Sequence, residues 1–358
     1  MSRENEPVAL RQGGRKPKER DFLRTREGMF FCVTGYLHPP DRYTAYLKYS
    51  PDPLGKWRDG ETAYRRELPY YHVRNVLETL HYLERRYPWY VYDCPVRGIR
   101  FSMVPREYVV RYYAPQERLA GILAEPRDPL EEETRSLAME VAACAGIGPE
   151  DLGVTGSILI GLHDPAFSDI DLLVYGLENA RKVRETLSEG RSPQIRRPDA
   201  EFIARWCRRI TERFPLTLEE AQYVAGRRWN YGFYRGRYFS IHPTRTDAEI
   251  TEQYGEHIYR GRGAARIQAV VVEAGESLFL PAVYRVGDVR VLDGAPEAVE
   301  VREVVACEGL YCDVADAGQE IEALGKLESV DGEPRRLVIG TTWLKGAEYI
   351  KPCVTSSW

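Results

Sequence analysis

A glycine-serine pair followed at a fixed distance by two aspartates constrains this chain more than any other feature. The pair is Gly156-Ser157, and the aspartates are Asp169 and Asp171, on either side of Ile170. Residues i and i+2 of a β-strand project from the same face, so the two carboxylates should lie side by side while Ile170 faces the core. Adjacent carboxylates repel each other unless a cation lies between them, and oxygen-only ligands favour Mg²⁺ or Mn²⁺. The sequence therefore predicts a divalent-metal site at Asp169 and Asp171.

The Gly-Ser pair adds a second chemistry to this metal site. A tight turn at Gly156 and Ser157 offers backbone N–H groups and a hydroxyl, which suit phosphate. Enzymes that catalyse phosphoryl transfer combine a metal site with an adjacent phosphate-binding site. The alternative interpretation of the same stretch is a surface loop with Asx-type turns and no metal.

The spacing of these residues resembles the signature of the polymerase-β-like nucleotidyltransferase superfamily. Two segments, Gly-Tyr-Leu-His-Pro-Pro-Asp at 35–41 and Val-Thr-Gly-Ser-Ile-Leu-Ile-Gly at 154–161, are similar to the archaeal "predicted nucleotidyltransferase" family, over about 21–352. The resemblance implies a central mixed sheet with helices and Mg²⁺-dependent transfer of a nucleotidyl group from a nucleoside triphosphate to a hydroxyl. It also implies a third carboxylate on a later strand.

The strand that should carry the third carboxylate departs from this pattern. The strand-like segment 238–243 contains no acidic residue, while Ser240 and His242 share one of its faces. Asp247 and Glu249 lie just beyond it. We predict that His242 lies nearest to the two aspartates, as a neutral metal ligand or a base. The alternative is a histidine with only a hydrogen-bonding role.

The chain as a whole predicts an α/β and α+β multidomain protein. Residues 1–20 are polar and basic, which is typical of a disordered arm. An aromatic-rich α+β domain with an antiparallel sheet follows over 21–125, and the nucleotidyltransferase core over 126–262. Short strands over 263–358 predict a small, OB-like β-barrel. Apolar spacing and terminal signals predict helices over 73–86, 129–146, 178–187, 200–213 and 217–226.

Composition limits the location and the chemistry of the protein. No apolar run approaches the ~20 residues needed to span a bilayer, and the N-terminus lacks a secretory signal, so we expect a cytoplasmic protein without a membrane partner. Seven cysteines without a C-x-x-C pair suggest neither a disulfide framework nor a zinc site. The net charge of −4 argues against a globally basic nucleic-acid binder.

Local charge nevertheless indicates RNA or single-stranded nucleic acid as a possible partner. Basic residues (Lys48, Lys56, Arg58, Arg65, Arg66, Arg74 and Arg106) interleave with aromatic ones (Trp57, Tyr64, Tyr70 and Tyr71), as in proteins that hold single strands. The alternative, which we slightly favour, is that these aromatic residues belong to the core and the charged ones are solvated. Further arginines cluster around the last core strand (Arg227, Arg228, Arg235, Arg237 and Arg245), and Arg245 is predicted to contact the nucleotide. A protein acceptor, or a decayed core that binds nucleotide or RNA without turnover, is also compatible with the sequence.

Overall fold

The computed structural model describes residues 15–68, 70 and 72–353 and has a mixed α+β fold with several sheets. Its first part contains the elements β1 (Phe22–Thr25), β2 (Phe30–Val33), β3 (Arg42–Pro51), β4 (Trp57–Asp59), β5 (Thr62–Arg66), α1 (Val73–Arg86), β6 (Val91–Cys94), β7 (Ile99–Pro105) and β8 (Val109–Tyr113). The strands form an antiparallel sheet in the order β4-β5-β3-β2-β1-β8, and β7 joins β6 to β3. The antiparallel sheet and the helix over 73–86 are confirmed.

The prediction of a disordered arm over 1–20 is wrong for residues 15–20. Lys18 and Glu19 are 2% and 3% exposed, and Arg15 forms an ion pair with the buried Asp21. Charged side chains are rarely buried unless they are paired, so composition alone favoured a solvated tail. Residues 1–14 lie outside the described residues.

The second part surrounds a five-stranded sheet. Its elements are α2 (Pro115–Ala124), α3 (Pro129–Ala145), β9 (Leu152–Val154), α4 (Gly156–Ile160), β10 (Ile170–Tyr175), α5 (Leu177–Ser188), β11 (Ile195–Arg196), α6 (Ala200–Arg213), α7 (Leu218–Arg227), β12 (Tyr231–Tyr234) and β13 (Arg237–Thr244). The order is β11-β12-β13-β10-β9, with β10 parallel to β13 and antiparallel to β9. Asp128 caps the N-terminus of α3, and Gly146 ends it in the left-handed conformation.

Two local features of this part differ from the sequence predictions. The segment expected to be a Gly-Ser turn begins the short helix α4. Helix α2 was not predicted, and its Leu119 and Ile122 pack in the core of the five-stranded sheet although the sequence placed them in the N-terminal domain. The ends of α3, α5, α6 and α7 lie within one or two residues of the predicted ends.

The third part is a curled sheet. It contains β14 (Tyr259–Glu273), β15 (Ala282–Gly294), β16 (Glu303–Ala306), β17 (Glu320–Val330), β18 (Glu333–Ile339) and β19 (Tyr349–Pro352). The order is β14-β15-β16-β18-β17-β19, and β17 also pairs with β14, so the sheet bends back on itself. Helices α6 and α7 cover its core with Ile210, Phe214 and Val224.

No helix within residues 15–353, as far as they are described, is both long and apolar enough to cross a membrane.

Candidate functional site

The two aspartates lie at the N-terminal end of β10, which runs between β13 and β9 in the five-stranded sheet. Asp171 is the second residue of β10, and Asp169 immediately precedes the strand. Ile170 and Leu172 are fully buried, so the opposite face of the strand carries the acidic side chains. Asp171 is half-buried and Asp169 is exposed. We refer to Asp169 and Asp171 as the aspartate pair.

The electrostatics of the aspartate pair favour a bound cation. The charge of Asp171 and the partial desolvation of the site raise the pKa of Asp169 to about 6. The positive charges of Arg66 and Lys48 act on Asp169 in the opposite direction. Lys48 lies on β3 and is only 4% exposed, so the N-terminal sheet supplies a buried cation to this site. Two coupled carboxylates form an oxygen-only donor set, which suits Mg²⁺ or Mn²⁺.

Glycine is required at position 156 by its contact with Asp171. Its φ is +67°, and a Cβ atom there would lie 2.6 Å from Oδ2 of Asp171. The backbone N–H of Thr155 donates to the carbonyl oxygen of Asp171 at 2.9 Å. The predicted neighbours Gly156 and Ser157 are therefore held against the aspartate pair, with Gly156 buried and Ser157 half-buried.

Arg237 holds the loop that leads into the aspartate pair. Its guanidinium donates to the carbonyl oxygens of Ser168 at 2.8 Å and Pro165 at 3.0 Å, and it forms an ion pair with Glu133 of α3. The sequence predicted that Arg237 belongs to a cluster facing nucleic acid, whereas in the structure it is a positioning residue. Nothing in the local pattern distinguishes the two roles, since the partners lie 69 to 104 residues away.

Ser240, and not His242, contacts the aspartate pair. Parallel pairing places Ser240 opposite Asp171, and the Ser240 hydroxyl donates to the Asp171 carboxylate. The Nε2 atom of His242 lies 2.8 Å from Ser240 Oγ. Burial and the charges of Arg20 and Arg228 lower the pKa of His242 well below its usual range, so the ring is neutral. Because the Ser240 proton is directed to Asp171, the His242 Nε2–H group donates to Ser240.

The two acidic residues beyond β13 have partners of their own. Asp247 accepts from Lys18, and Glu249 accepts from the backbone N–H of Leu177 at 2.7 Å. These contacts lie at the end of β10 opposite to the aspartate pair, because Tyr175 pairs with Thr244 there. Neither carboxylate replaces the missing third one. Metal ligation by His242 remains a prediction.

The arginines expected around the last core strand do not form one surface. Arg245 is paired with Glu276 and lies 4.5 Å from the centre of the Phe279 ring. Three others have partners elsewhere: Arg227 with Asp316, Arg235 with Gln194, and Arg237 with Glu133. Among the described residues Arg228 has no carboxylate partner, and its guanidinium lies 3.9 Å from the centre of the Tyr231 ring.

The interleaved basic and aromatic segment of the N-terminal part also does not form one exposed face. Tyr64 is fully buried, and Lys48 points into the protein. Tyr71 lies outside the described residues. Lys56 lies 3.4 Å from the ring centre of Phe167, in the loop before the aspartate pair. Period-2 strands place alternate residues on opposite faces, so interleaving in sequence separated these groups in space.

A second acidic group, which the sequence analysis missed, lies beside the central sheet. Within the described residues, the carboxylates and histidines that gather closely enough to share a metal ion are Asp128, Glu131 and His163, and not the aspartate pair with His242. Asp128 caps α3 and lies 2.7 Å from Nε2 of His163. Glu131 is paired with Arg118 and accepts from the backbone of Arg127. We refer to these three residues as the capping cluster.

A central cavity of about 860 Å³ lies between the three parts of the protein. Its lining includes Arg20, Tyr46, Arg228 and Tyr231, but not the aspartate pair. The charges of Arg20 and Arg228 also act on His242. Tyr231 lines the cavity, is the cross-strand partner of Ser240, and has its ring centre 5.9 Å from that of His242. The cavity therefore approaches the aspartate pair through Tyr231, next to Ser240 and His242.

Comparison with known proteins identifies one relative. The chain is 32% identical over 346 residues to the uncharacterized protein MJ1086 of Methanocaldococcus jannaschii, and the alignment covers 94% of this chain and 99% of that protein. No family model matches the chain, and no solved structure matches it.

Proposed function

The chain belongs to the same family as MJ1086, and we propose that it is a Mg²⁺-dependent nucleotidyltransferase. It would transfer a nucleotidyl group from a nucleoside triphosphate to a hydroxyl acceptor. The observation that supports this most directly is the coupled aspartate pair with Gly156 in contact with Asp171. A carboxylate pair beside the glycine that begins α4 would join a cation site to a phosphate site.

Each residue of the site has a chemical role in this proposal. Asp169 and Asp171 would hold the cation, and Gly156 and Ser157 would contact the terminal phosphates. The bound cation would polarise the phosphate and neutralise the two carboxylates. Lys48 and Arg66, whose charges act on Asp169, would offset charge on the triphosphate.

Ser240 and His242 take the place of a third carboxylate. Ser240 is 3% exposed and is bonded to both Asp171 and His242. Together, Ser240 and His242 fix the rotamer of Asp171 and keep its Oδ1 atom hydrogen-bonded. This leaves the Oδ2 atom of Asp171 for the cation. The neutral His242 adds no charge to the site.

The curled C-terminal sheet supports the same assignment. Its strand order β14-β15-β16-β18-β17, returning to β14, contains one parallel pair, β16 with β18. We propose that it is an OB-like barrel, a fold whose face and loops bind oligonucleotides in other proteins. Fold alone does not fix function, so the acceptor requires its own test.

The experiment is calorimetric titration of each nucleoside triphosphate with and without Mg²⁺. We expect Mg²⁺-dependent binding by the natural protein and its loss in the Asp169→Asn, Asp171→Asn double variant. Glu185→Gln, on the exposed face of α5 and paired with Arg191, is the matched control. Equal affinity with and without Mg²⁺ would exclude the metal role.

A second candidate function is nucleotide or RNA binding without turnover. The serine at position 240, opposite Asp171, favours it because no third carboxylate is available in β13. Incubation with α-labelled triphosphates and total cellular RNA and protein separates the candidates. Transfer of label to RNA or to protein identifies an enzyme and its acceptor, and Mg²⁺-dependent binding without transfer identifies the inactive protein.

A further inference from the structure

We infer that the central cavity binds the free end of a single-stranded nucleic acid and presents its terminal hydroxyl to the aspartate pair. The inference deepens the proposed function, since it names the acceptor. The cavity contains residues of all three parts of the protein and approaches the aspartate pair through Tyr231, the cross-strand partner of Ser240.

The cavity combines cationic groups with flat aromatic surfaces. Arg228 lies 3.9 Å from the ring centre of Tyr231 and 4.9 Å from that of Trp206. Arg213 lies 3.9 Å from the ring centre of Tyr70. Neither arginine has a carboxylate partner in the part of the chain that the structure describes. Single strands are held in this way, because bases stack on aromatic or guanidinium planes while cations track the phosphates.

The acidic residues of the cavity are already engaged. Eight cationic and five acidic side chains line it. Each of the five acids accepts from a neighbour: Glu19 from Gly35 N, Glu249 from Leu177 N, Glu252 from Tyr259 Oη, Glu308 from Val73 N, and Glu328 from Lys326 and Arg336. Among the cations, Arg100 and Arg245 have carboxylate partners outside the lining, and Lys326 and Arg336 share Glu328. Arg213 and Arg228 can therefore bind a phosphate without first breaking an ion pair of the described residues.

Four buried polar atoms of the cavity lining have no hydrogen-bond partner among the described residues: Tyr36 Oη, Thr44 Oγ1, His72 Nε2 and Arg336 Nε. Thr44 Oγ1 and His72 Nε2 belong to side chains that are 2% and 3% exposed, respectively. Nδ1 of His72 accepts from the backbone N–H of Arg74, so the neutral ring carries its proton on Nε2. A buried donor without an acceptor is costly. Phosphate, ribose and base oxygens of a bound strand would supply acceptors for Thr44 Oγ1 and His72 Nε2.

The curled sheet contributes an apolar outer surface to the same cavity. Val283 of β15 and Val305 of β16 are cross-strand partners, and both line the cavity. The corresponding face of an OB-like barrel is a binding surface for oligonucleotides. A volume of about 860 Å³ lies within the ~300–1,000 Å³ of pockets for compact ligands. It therefore suits the end of a strand and not the middle of a long one.

The test compares a short, labelled, linear single-stranded RNA with the same sequence closed into a circle, by fluorescence anisotropy without triphosphate. We expect the linear RNA to bind more tightly, because only a free end fits the cavity. Trp206→Ala and Arg228→Ala should each weaken its binding at least about fivefold. Arg228→Ala should also reduce the salt slope by about 0.7. The matched control is Arg111→Ala, whose guanidinium lies 4.7 Å from the Tyr113 ring centre outside the cavity.

Three results would overturn the inference: no binding at low salt, equal binding of the circle, or equal losses in the Arg111→Ala and Arg228→Ala variants. Thermal unfolding of every variant identifies misfolding. If Arg228→Ala is unfolded, Arg228→Lys tests stacking with the charge retained. Calorimetry with Mg²⁺ and triphosphate separates the two proposals. Nucleotide binding without RNA binding refutes only the acceptor, and RNA binding without nucleotide binding refutes only the transferase.

Discussion

The aspartate pair and the capping cluster each bring two carboxylates together beside the five-stranded sheet, but the carboxyl pKa values shift in opposite directions. Asp171 raises the pKa of Asp169 to about 6. In the capping cluster, burial acts to raise the pKa of Glu131, but hydrogen bonds and charge from Arg127 and Arg118 outweigh it and lower the pKa. The same is true of Asp128, where His163 and backbone N–H groups outweigh burial.

The difference shows that proximity of ligand atoms does not define a metal site. The carboxylates of the capping cluster already accept from two helix N–H groups, two arginines and a histidine. Its lone pairs and its charge are therefore satisfied by the protein. In the aspartate pair two negative charges face each other, and a cation would gain by binding there. We expect the capping cluster to serve stability and the aspartate pair to serve binding.

The largest expected effect tests the structural role of the capping cluster. Glu131→Gln removes the counterion of Arg118 from a side chain that is 1% exposed, and should lower the free energy of unfolding by about 3 kcal/mol. Urea denaturation measures this loss. Glu132→Gln, one residue away and in an exposed pair with Arg135, should change it by less than about 0.5 kcal/mol. Strong stabilisation of the natural protein by Mg²⁺ that Glu131→Gln abolishes would reverse the two assignments.

The next effect concerns binding at the aspartate pair. The Asp169→Asn, Asp171→Asn double variant removes both charges and should weaken Mg²⁺-triphosphate binding by at least about 100-fold, or about 2.7 kcal/mol. Relief of repulsion should leave the free protein as stable as before or more so. Thermal unfolding with and without Mg²⁺ and triphosphate measures both quantities. A marked loss of stability in the double variant would show that Asp169 and Asp171 stabilise the fold, contrary to the proposed binding role.

A smaller effect tests the contact between Gly156, at the start of α4, and Asp171. Gly156→Ala places a Cβ atom 2.6 Å from Oδ2 of Asp171 at a φ of +67°, and should cost about 2 kcal/mol in stability and weaken nucleotide binding. Gly161→Ala has a similar φ of +72° but no atom within 4 Å of the added Cβ. It should cost about 1 kcal/mol and leave binding unchanged. Equal effects of both changes on binding would remove the proposed role of Gly156.

The smallest expected effect is a change in how the free energy of unfolding depends on pH when Asp169 is replaced by Asn. The folded-state pKa of Asp169, about 6, lies above the usual ~3.9 of an aspartate, so the folded state binds the proton more tightly between these values. This group therefore lowers stability as the pH rises from about 4 to about 6. Asp169→Asn should remove that slope in urea titrations. Mg²⁺ affinity of the natural protein should increase over the same range, as the proton leaves. A slope unchanged by Asp169→Asn would refute the raised pKa.

Local patterns in the sequence predicted the elements well where neighbours in the chain determine them. Helix α1 spans the predicted residues 73–86. Helix α3 ends at the predicted Gly146, which adopts the left-handed conformation that glycine favours at a helix C-terminus. The two-residue period of a strand predicted that Asp169 and Asp171 share one face; Asp171 lies in β10, and Asp169 immediately precedes it. These properties depend on a few adjacent residues, so they can be read before any tertiary contact is known.

Other properties depended on which distant segments meet, and the sequence alone did not decide them. The sequence predicted α6 and α7 as helices, but only the tertiary structure places Ile210 and Val224 against the curled sheet. Residues 15–20 appeared solvated in part because some of their partners are distant: Lys18 pairs with Asp247, 229 residues away. The capping cluster joins His163 to Asp128 across 35 residues.

The sequence by itself determined which residues form the candidate site: Asp169 and Asp171, two residues apart at the start of a strand, and the preceding Gly156, which permits close approach. The tertiary structure decided what surrounds them. It placed Ser240 opposite Asp171, brought the charges of Lys48 and Arg66 to bear on Asp169, and formed the central cavity from three parts of the chain. The physical reason is the sequence separation over which each effect acts. Backbone periodicity involves a few adjacent residues, whereas strand register, burial and Coulomb interactions depend on distant segments that only folding brings together.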